Sequence, residues 1–455
     1  MPIAICLVAI FAQQAMVALT TVAIAQSAAI LTGGGDPLPQ LTVFCVLLLA
    51  GNLPDILIDL ERERSKYWLL DRAILRSSSA DYGATGAYFN KRIKTEKEPY
   101  IDTELWITIS DNVAYAADLF ATLANIVLNT AAVASVLDAS FAIALGAAEI
   151  ISLVSSGLAF SLIGHRTKRA QAARAKLFSA IRLCIPNAWI GNARNFRDWK
   201  EHFNETHSDS MRAQSALSLT RCSLASLTAI MSAVPFIAAT MGYATAHVSD
   251  LPAMTALIAV LPRQVSILQY MNIVVAYAAQ LSERIARTRL VYSNLVLTPE
   301  ERNTGGSIRW NEMQLCPEGG STTATHPNSI ADIEASTHDF SNGRITIRGT
   351  NGCGKSTLLA HLKETLGDRA YLLPANPALF FPKLSGKEAS GGQAVSRILD
   401  LIEADYLDDG VSVVLLDEWD ANLDEKMRDH HDKKLDELAH RKCIIEVLHN
   451  KHGRE

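Results

Sequence analysis

The residues best suited to chemistry lie near the C-terminus, where the segment 349–357 reads GTNGCGKST. It satisfies the pattern G-x-x-x-x-G-K-[ST], and it stands between a strand-like run at 344–348 and an apolar helix start at Leu358. Glycines let the backbone wrap around phosphates, with loop N–H groups pointing inward at a helix N-terminus. We therefore expect phosphate-binding residues at Gly349, Asn351, Gly352, Cys353, Gly354, Lys355, Ser356 and Thr357.

Two carboxylates follow a continuous apolar run further along the chain. The run 413–416 is typical of a buried parallel strand, and it ends in Asp417 and Glu418, where the ligands of parallel sheets bind. In this arrangement Lys355 would reach the β- and γ-phosphates, and Ser356 and Asp417 would hold Mg²⁺. Glu418 would polarise the attacking water as a general base.

Three weaker motifs support the prediction because of their order relative to the 349–357 loop and the Asp417–Glu418 pair. Ser390, Gly391, Gly392 and Gln393 precede a helix-like stretch at 394–401. The segment 420–424, DANLD, follows Glu418 directly and ends in Asp424. His449 follows a strand-like run at 443–448 that could lie beside the strand of the phosphate-binding loop. Each motif alone is common in proteins, so the order carries the prediction.

The order of these motifs resembles the nucleotide-binding domain of ABC ATPases, over about 343–450. The resemblance implies ATP and Mg²⁺ as ligands, with Lys355, Glu418 and His449 as catalytic residues and His449 sensing the γ-phosphate. It also implies that Ser390 to Gln393 contact ATP held by the other subunit of a dimer. Asp424 would couple the two sites, so a second copy of the chain or a related half-transporter is the expected partner.

In the part of the chain that precedes this domain, the distribution of lysine and arginine predicts membrane-spanning helices. Neither residue occurs in 1–61, 112–164, 222–262 or 264–282, although both are frequent elsewhere. Apolar stretches of this length are typical of helices that cross a lipid bilayer. We predict six spans, at about 1–32, 39–60, 113–135, 139–163, 219–244 and 251–282.

The basic segments orient the predicted spans. By the positive-inside rule, 62–110 and 166–221 are cytoplasmic, and the last span delivers the C-terminal domain to the cytoplasm. Six spans with long helical cytoplasmic returns resemble a half-size ABC exporter of the bacterial inner (plasma) membrane, with coupling loops at 88–111 and 192–203. The expected fold is an α-helical six-span bundle followed by an α/β P-loop NTPase domain. The boundaries are 1–295 for the membrane domain, 296–342 for a linker, and 343–455 for a shortened nucleotide-binding domain.

Charged residues inside the predicted spans are candidates for a transport path. Asp118, Glu149 and Arg263 lie within apolar runs, and such residues usually face a bundle interior or a water-filled cavity. Arg263 follows Pro262 in mid-span. The transported substrate is not readable from these residues.

Two departures from the family pattern leave the function open. Ala375 stands where the family has a Mg²⁺-linked glutamine, with Asn376 beside it, and the region between Ala375 and Ser390 is short. An ATP-driven exporter that acts by alternating access is our first interpretation. The alternatives are a membrane-anchored ATP-binding regulator, or the weaker-site subunit of a heterodimeric transporter.

Composition excludes several other classes of protein. A net charge of −5 gives no basic surface of the kind that binds nucleic acid, so no nucleic-acid partner is expected. The seven cysteines are scattered without a CxxC pair, so they predict neither a disulfide framework nor a zinc site.

Overall fold

Long apolar runs without lysine or arginine form long helices in a computed structural model of the chain. The structure describes residues 2–302, 308–317, 325–337, 339–375, 378–384, 391–407, 410–421 and 423–448. They fall into two units. The first combines Met1–Ala73 with Leu105–Val291, and the second combines Ile74–Glu104 with Tyr292–Glu455. The protein is predominantly helical, with a small mixed sheet near the C-terminus.

The helices of the first unit and its continuations are long, and those of the C-terminal part are short. In chain order the helices are α1 (Pro2–Thr32), α2 (Leu38–Ala50), α3 (Leu53–Ala80), α4 (Thr85–Phe89), α5 (Lys91–Pro99), α6 (Leu105–Val136), α7 (Ala139–Arg182), α8 (Cys184–Trp189), α9 (Ala193–Ala246), α10 (Leu251–Asn294), α11 (Pro299–Arg302), α12 (Ile330–Ser336), α13 (Lys355–Leu366), α14 (Gly391–Leu401) and α15 (Glu425–Ala439).

Among the residues that the structure describes, five helical stretches are long and apolar enough to cross a membrane. They are Pro2–Thr32, Leu38–Ala80, Lys91–Val136, Ala193–Ala246 and Leu251–Arg302. The span predicted over 139–163 lies in α7, where the described apolar stretch is the shorter Ala139–Ser152. The sequence-based prediction of several membrane-length helices is therefore confirmed.

The span predicted over 39–60 is not one continuous helix. It is divided at Gly51 and Asn52 into α2 and α3. Glycine is a poor helix former, and Pro54 lacks the N–H that would continue the hydrogen-bond ladder from α2. These two residues explain why the helix stops and restarts within the apolar run.

The core of the first unit is formed by α6, α7, α9 and α10. Phe141, Leu145, Ile267 and Met271 are almost completely buried in it. The helices α7 and α9 pack along each other, and α1 packs against α6. The packing of α1 against α6 fixes the faces of these two helices on which the polar residues described below lie.

The second unit contains a five-stranded sheet. Its strands are β1 (Met313–Pro317), β2 (Gly343–Gly349), β3 (Ala370–Leu373), β4 (Val413–Asp417) and β5 (Cys443–Val447). The order across the sheet is β1-β2-β5-β4-β3, with β1 antiparallel to β2 and the other pairs parallel. The carboxyl ends of β2, β5 and β4 therefore meet at one edge.

Both faces of this sheet are covered. Val413 and Leu415 point into a buried cluster with Leu358 of α13, whereas Val414 and Leu416 point into a second cluster on the other face, with α14 and α15. This alternation follows from the two-residue period of a strand. It explains why β4 is apolar at every position before Asp417.

Candidate nucleotide site and polar groups of the membrane helices

The loop between β2 and α13 needs glycine at specific positions. Gly352 and Gly354 have φ values of +81° and +101°, in the left-handed region that favours glycine. At Gly349 a Cβ atom would lie 2.6 Å from the Glu312 carbonyl oxygen and 2.8 Å from Cys353 Sγ. The loop therefore adopts a conformation that only this glycine pattern permits, with Cys353 completely buried beneath it.

The first turn of α13 brings the predicted cation ligands together. Ser356 Oγ donates a hydrogen bond to Asp417 Oδ1 at 3.1 Å, although 61 positions separate the two residues. Lys355 Nζ donates to the carbonyl oxygens of Gly349 at 2.8 Å and Thr350 at 3.2 Å, so its ammonium group lies over the loop. Asn351 is exposed in the loop, and Thr357 is half-buried in the first turn of α13.

Strand order explains how Asp417 reaches Ser356. Both Ile347 of β2 and Asp417 of β4 pair with Val447 of β5, so the ends of the three strands are level. Asp417 is 3% exposed. Burial raises the pKa of Asp417, and the Glu418 charge raises it further, while the Ser356 hydrogen bond and the Lys355 charge lower it.

Glu418 has an unusual backbone conformation for a residue with a side chain. Its φ is +46°, and its N–H donates to the Val447 carbonyl at 2.8 Å. A left-handed conformation at a non-glycine residue costs about 1–3 kcal/mol and is common at functional sites. This bend turns the chain sharply after β4 and leaves Glu418 directly beside Asp417.

A buried ion-pair network supports the chain just after Glu418. Trp419 Nε1 donates to Glu446 Oε2 at 2.8 Å, and Thr346 Oγ1 donates to Glu446 Oε1 at 2.9 Å. Glu446 is completely buried and pairs with Arg344 at 2.9 Å. Burial opposes the charge on Arg344, but Glu446 and two further carboxylates outweigh burial and raise its pKa. The two carboxylates are Asp432 at 2.5 Å and Asp436 at 2.7 Å.

Two residues outside the predicted motif hold the glycine-rich loop between β2 and α13 from its other side. Arg309 donates through Nη2 to the Gly352 carbonyl at 2.9 Å, and Glu312 accepts from Thr350 Oγ1 at 2.5 Å. Arg309 also pairs with Glu312 at 2.9 Å. The Thr350 hydrogen bond and the Arg309 charge lower the pKa of Glu312. No spacing in the sequence points to this clamp, because it depends on how β1 pairs with β2.

The structure describes some of the remaining predicted site residues but not others. Asp424 caps α15, where its side chain accepts from the Met427 N–H at 2.8 Å. Gly391, Gly392 and Gln393 form the first turn of α14. The other three predicted positions, Ser390, Asn376 and His449, lie outside the described residues.

Ala375 lies just beyond the carboxyl end of β3, next to β4 in the sheet. Its methyl group offers no ligand to a metal. Trp310, the aromatic residue that precedes β1, lies half-buried against the apolar cluster beneath β1 and β2. The aromatic ring is thus engaged in packing.

The residues that meet at this edge fit Mg²⁺. The Ser356 hydroxyl and the Asp417 carboxylate are oxygen donors, the type that a hard cation prefers, and Mg²⁺ is usually held by one or two protein groups together with phosphates and water. No group of three or more His, Cys, Asp or Glu suitable for a metal occurs among the described residues. A site of the two-ligand kind needs no such group.

The three charged candidates in the apolar helices lie in different surroundings. Asp118 pairs with Arg62 at 2.7 Å. Glu149 Oε2 is buried and has no hydrogen-bond partner among the described residues. Arg263 Nε donates to Thr21 Oγ1 at 3.0 Å. Within the described part of the chain, no hydrogen bond or ion pair joins these three residues to one another.

Neutral polar residues form a connected column along α1 and α6. Thr21 Oγ1 donates to Asn129 Oδ1 at 3.3 Å, Asn129 Nδ2 donates to the Asn125 carbonyl at 2.9 Å, and Asn125 Nδ2 donates to Gln14 Oε1 at 2.6 Å. We call Gln14, Thr21, Asn125 and Asn129 the polar column. The spacing of Asp118, Thr122, Asn125 and Asn129 in α6 alternates between three and four residues, so a search for helical periodicity could have found it.

Within the second unit, the segment Ile74–Glu104 is attached to α13 and to the segment 296–302. Glu364 Oε1, in the last turns of α13, accepts from the Gly86 N–H at 2.7 Å. Lys97 pairs with Glu301 at 2.9 Å, and Arg302 pairs with Asp81 at 2.7 Å. The Thr298 N–H and Lys97 lower the pKa of Glu301. The predicted coupling loop at 88–111 overlaps α4 and α5 of this segment, and the one at 192–203 is the start of α9.

No protein-family model matches the sequence, and no curated protein matches it.

Proposed function

We propose that this chain is an ATP-driven half-transporter of the ABC exporter type, located in the bacterial inner membrane with its C-terminal unit in the cytoplasm. The observation that carries the proposal is the Ser356–Asp417 hydrogen bond at the edge where β2, β5 and β4 end. It joins a phosphate-binding loop to a strand-end carboxylate, in a chain with five membrane-length helices. In this proposal the N-terminal helices form a six-span membrane domain, and the C-terminal part forms a P-loop NTPase domain.

The strand order supports the NTPase part of the proposal. One parallel strand, β5, separates the strand of the phosphate-binding loop from the strand that ends in Asp417. With this strand order, a bound triphosphate would lie at the strand ends, between the loop and Glu418. ATP would bring its own phosphates to Mg²⁺, with Ser356 and Asp417 as the protein ligands.

In the proposed hydrolysis, different residues would neutralise the phosphate charge and activate the attacking water. The loop N–H groups and Lys355 would neutralise the phosphate charge, and Lys355 would exchange its present carbonyl partners for phosphate oxygens. Glu418, fixed by the Val447 carbonyl and the Trp419 anchor, would orient the attacking water and accept its proton. Ser390 to Gln393 of a second chain would complete the site.

The Gly86–Glu364 contact supports coupling between hydrolysis and the membrane helices. The segment Ile74–Glu104 is continuous in sequence with α3 and α6, and it is hydrogen-bonded to the same helix, α13, that begins with Lys355. A movement of α13 on nucleotide binding would therefore reach α3 and α6 directly. Asp118 and Glu149 would contribute to the path of the transported substrate.

The test is ATP hydrolysis by the purified full chain in lipid nanodiscs, compared with Lys355→Ala and Glu418→Gln. We expect hydrolysis in the wild type and a loss of at least about 100-fold in both variants, the effect typical of removing a catalytic acid–base or electrostatic group. Wild-type hydrolysis no faster than that of the variants would contradict the homodimeric pump.

A second candidate function is a membrane-anchored ATP-binding regulator. The short connection between β3 and α14, together with Ala375 at the strand edge, favours it. Lys355-dependent ATP binding without hydrolysis would support this candidate. Hydrolysis restored by a related half-transporter would instead support the heterodimer, with this chain as the weaker-site subunit.

A further inference from the structure

Arg263 lies deep within a membrane-length helix. It is the thirteenth residue of α10, about 18 Å along the helix axis from Leu251 at 1.5 Å per residue. Its partner Thr21 lies about 17 Å from the end of α1 at Thr32 by the same rise. Both positions are near the middle of a hydrocarbon layer about 30 Å thick. A guanidinium is costly at that depth unless an anion or a polar cavity receives it.

The described residues supply no anion to Arg263. Its Nε donates to Thr21 Oγ1, and no carboxylate of a described residue lies within 4.0 Å of it. Arg62 provides the contrast, because it pairs with Asp118 at 2.7 Å. The positive charge of Arg263 is therefore compensated by a single neutral hydroxyl.

The polar column engages Arg263 through its Nε atom, so the Nη1 and Nη2 groups are the donors that the guanidinium can offer to a ligand. The Thr21 hydroxyl receives the Arg263 hydrogen bond and donates onward to Asn129, whose amide in turn donates to the Asn125 carbonyl. This chain of bonds holds the guanidinium by its Nε atom. Within the described residues Nη1 and Nη2 make no hydrogen bond, and their parallel N–H groups match the two oxygens of a carboxylate or phosphate.

We propose that Arg263 binds the anionic group of an amphipathic substrate, held at mid-membrane depth between α1, α6 and α10. This inference rests on the proposed transport function and names the chemical class of the substrate. Asn129 and Thr21 position the guanidinium, and the apolar surroundings of α10 accept the aliphatic part. A second source of the same anionic chemistry is an anionic lipid, and the experiment separates the two.

The experiment is photolabelling of the full chain in phosphatidylcholine nanodiscs. The probes are a long-chain fatty acid with a diazirine in its chain and the corresponding fatty alcohol, and labelled peptides are quantified by mass spectrometry. We expect the acid to label peptides of α1, α6 and α10 about tenfold more than the alcohol, the ratio given by one charge-assisted hydrogen bond.

The variants test the residue and its position. Arg263→Gln should abolish the preference for the acid, whereas Arg263→Lys should retain most of it. Arg284→Gln is the matched control on α10, because Arg284 already donates to the Asp111 carbonyl at 3.0 Å and stacks on Tyr115. Lys355→Ala should label like the wild type, so a failure of ATP hydrolysis does not affect this test.

Equal labelling by acid and alcohol in the wild type would overturn the proposal, as would an undiminished preference in Arg263→Gln. Adding phosphatidylglycerol to the nanodiscs distinguishes the sources of the anion. Labelling that persists supports a transported amphipathic anion. Labelling suppressed by the anionic lipid overturns that assignment and identifies a lipid as the occupant.

Discussion

Trp419 donates its indole N–H to Glu446 Oε2 over 2.8 Å, and this bond ties the residue after Glu418 to the strand that lies between β2 and β4. Glu446 is completely buried and is held on its other side by Arg344. The left-handed turn at Glu418 is therefore fixed at both ends, by the Val447 carbonyl and by the Trp419 indole. A large aromatic residue at this position acts as an anchor for the candidate general base.

Trp419→Phe tests this anchor. Phenylalanine fills most of the same space but leaves a buried carboxylate with one donor fewer, so we expect the free energy of unfolding to fall by about 1–3 kcal/mol. ATP hydrolysis should fall as well, with ATP affinity nearly unchanged. Denaturant unfolding and nucleotide titration of the full chain measure these effects. Trp310→Phe is the control, because Trp310 makes no indole hydrogen bond to a described residue; equal losses in both variants would refute the anchor.

Asp417→Asn separates stability from activity. Burial raises the pKa of Asp417, so the folded state favours the protonated form, and the ionised carboxylate reduces stability at every pH above the unfolded-state value near 3.9. At pH 7 the neutral amide should raise the melting temperature by about 2–4 °C, the shift that accompanies 1 kcal/mol in a domain of this size. It should also abolish stabilisation by Mg²⁺ and ATP, because the cation loses a carboxylate ligand.

Thermal unfolding with and without Mg²⁺ and ATP measures both effects of Asp417→Asn. The control is Asp424→Asn, because asparagine caps a helix as well as aspartate does, and this variant should unfold like the wild type. A lower melting temperature for Asp417→Asn in the absence of ligand would show that the buried charge is stabilising, contrary to our expectation.

The sequence predicts those parts of the candidate site that depend on local pattern. The glycines of the loop and the apolar run before Asp417 are dictated by backbone conformation and burial, which follow from neighbouring residues. The strand pairing that brings Ser356 to Asp417 is the usual consequence of parallel strands ending at one edge. A search based on spacing is sufficient for these residues.

The supporting contacts could not be predicted in the same way. Glu446 sits within an apolar run and gives no sign that Arg344, 102 positions earlier, will neutralise it. Gly86 and Glu364 are 278 positions apart, and Glu364, although it is the only acidic residue of α13, is exposed and so gives no sign of a distant partner. Such pairs depend on which elements become neighbours in the fold, and one sequence contains no signal for that. The break at Gly51 and Asn52, in contrast, was readable from Gly51 and Pro54.

Glu364→Ala tests the attachment of α4 to α13. The Glu364 carboxylate is the acceptor for the Gly86 N–H, so removing it should speed hydrogen exchange in the peptide that contains residues 85–89. We expect about a tenfold increase in the exchange rate, as for the loss of one charge-assisted hydrogen bond. The proposed coupling also predicts slower ATP-driven transport in this variant with little change in ATP affinity.

Thr365→Ala is the neighbouring control for this prediction. The Thr365 hydroxyl donates to the His361 carbonyl within α13, so its removal should leave exchange at residues 85–89 as in the wild type. Unchanged exchange in Glu364→Ala would mean that the Gly86 N–H is protected by something other than the carboxylate.

Because His431 is buried, we expect the folded protein to lose stability in mild acid. Its ring lies almost fully buried between α14 and α15, where its Nε2 is 2.7 Å from Ser396 Oγ. Burial lowers the pKa of His431, with nearby Lys434 acting in the same direction and Asp400 opposing it. The folded state therefore favours the neutral ring, which accepts the Ser396 hydroxyl. Stability is complete above the unfolded value near 6.5 and falls as the pH drops below it, because the unfolded chain takes up the proton more readily.

His431→Gln retains an acceptor for Ser396 and removes the titration, so its melting temperature should differ less between pH 7.5 and pH 5.5 than that of the wild type. Thermal unfolding of the full chain at the two pH values measures the difference. His361→Gln is the control, because its exposed ring on α13 is not among the charges that act on His431, so its removal should leave the wild-type pH dependence in place. If His431→Gln keeps the full pH dependence, the destabilisation in acid comes from groups other than His431, and protonation of the His431–Ser396 pair does not contribute to it.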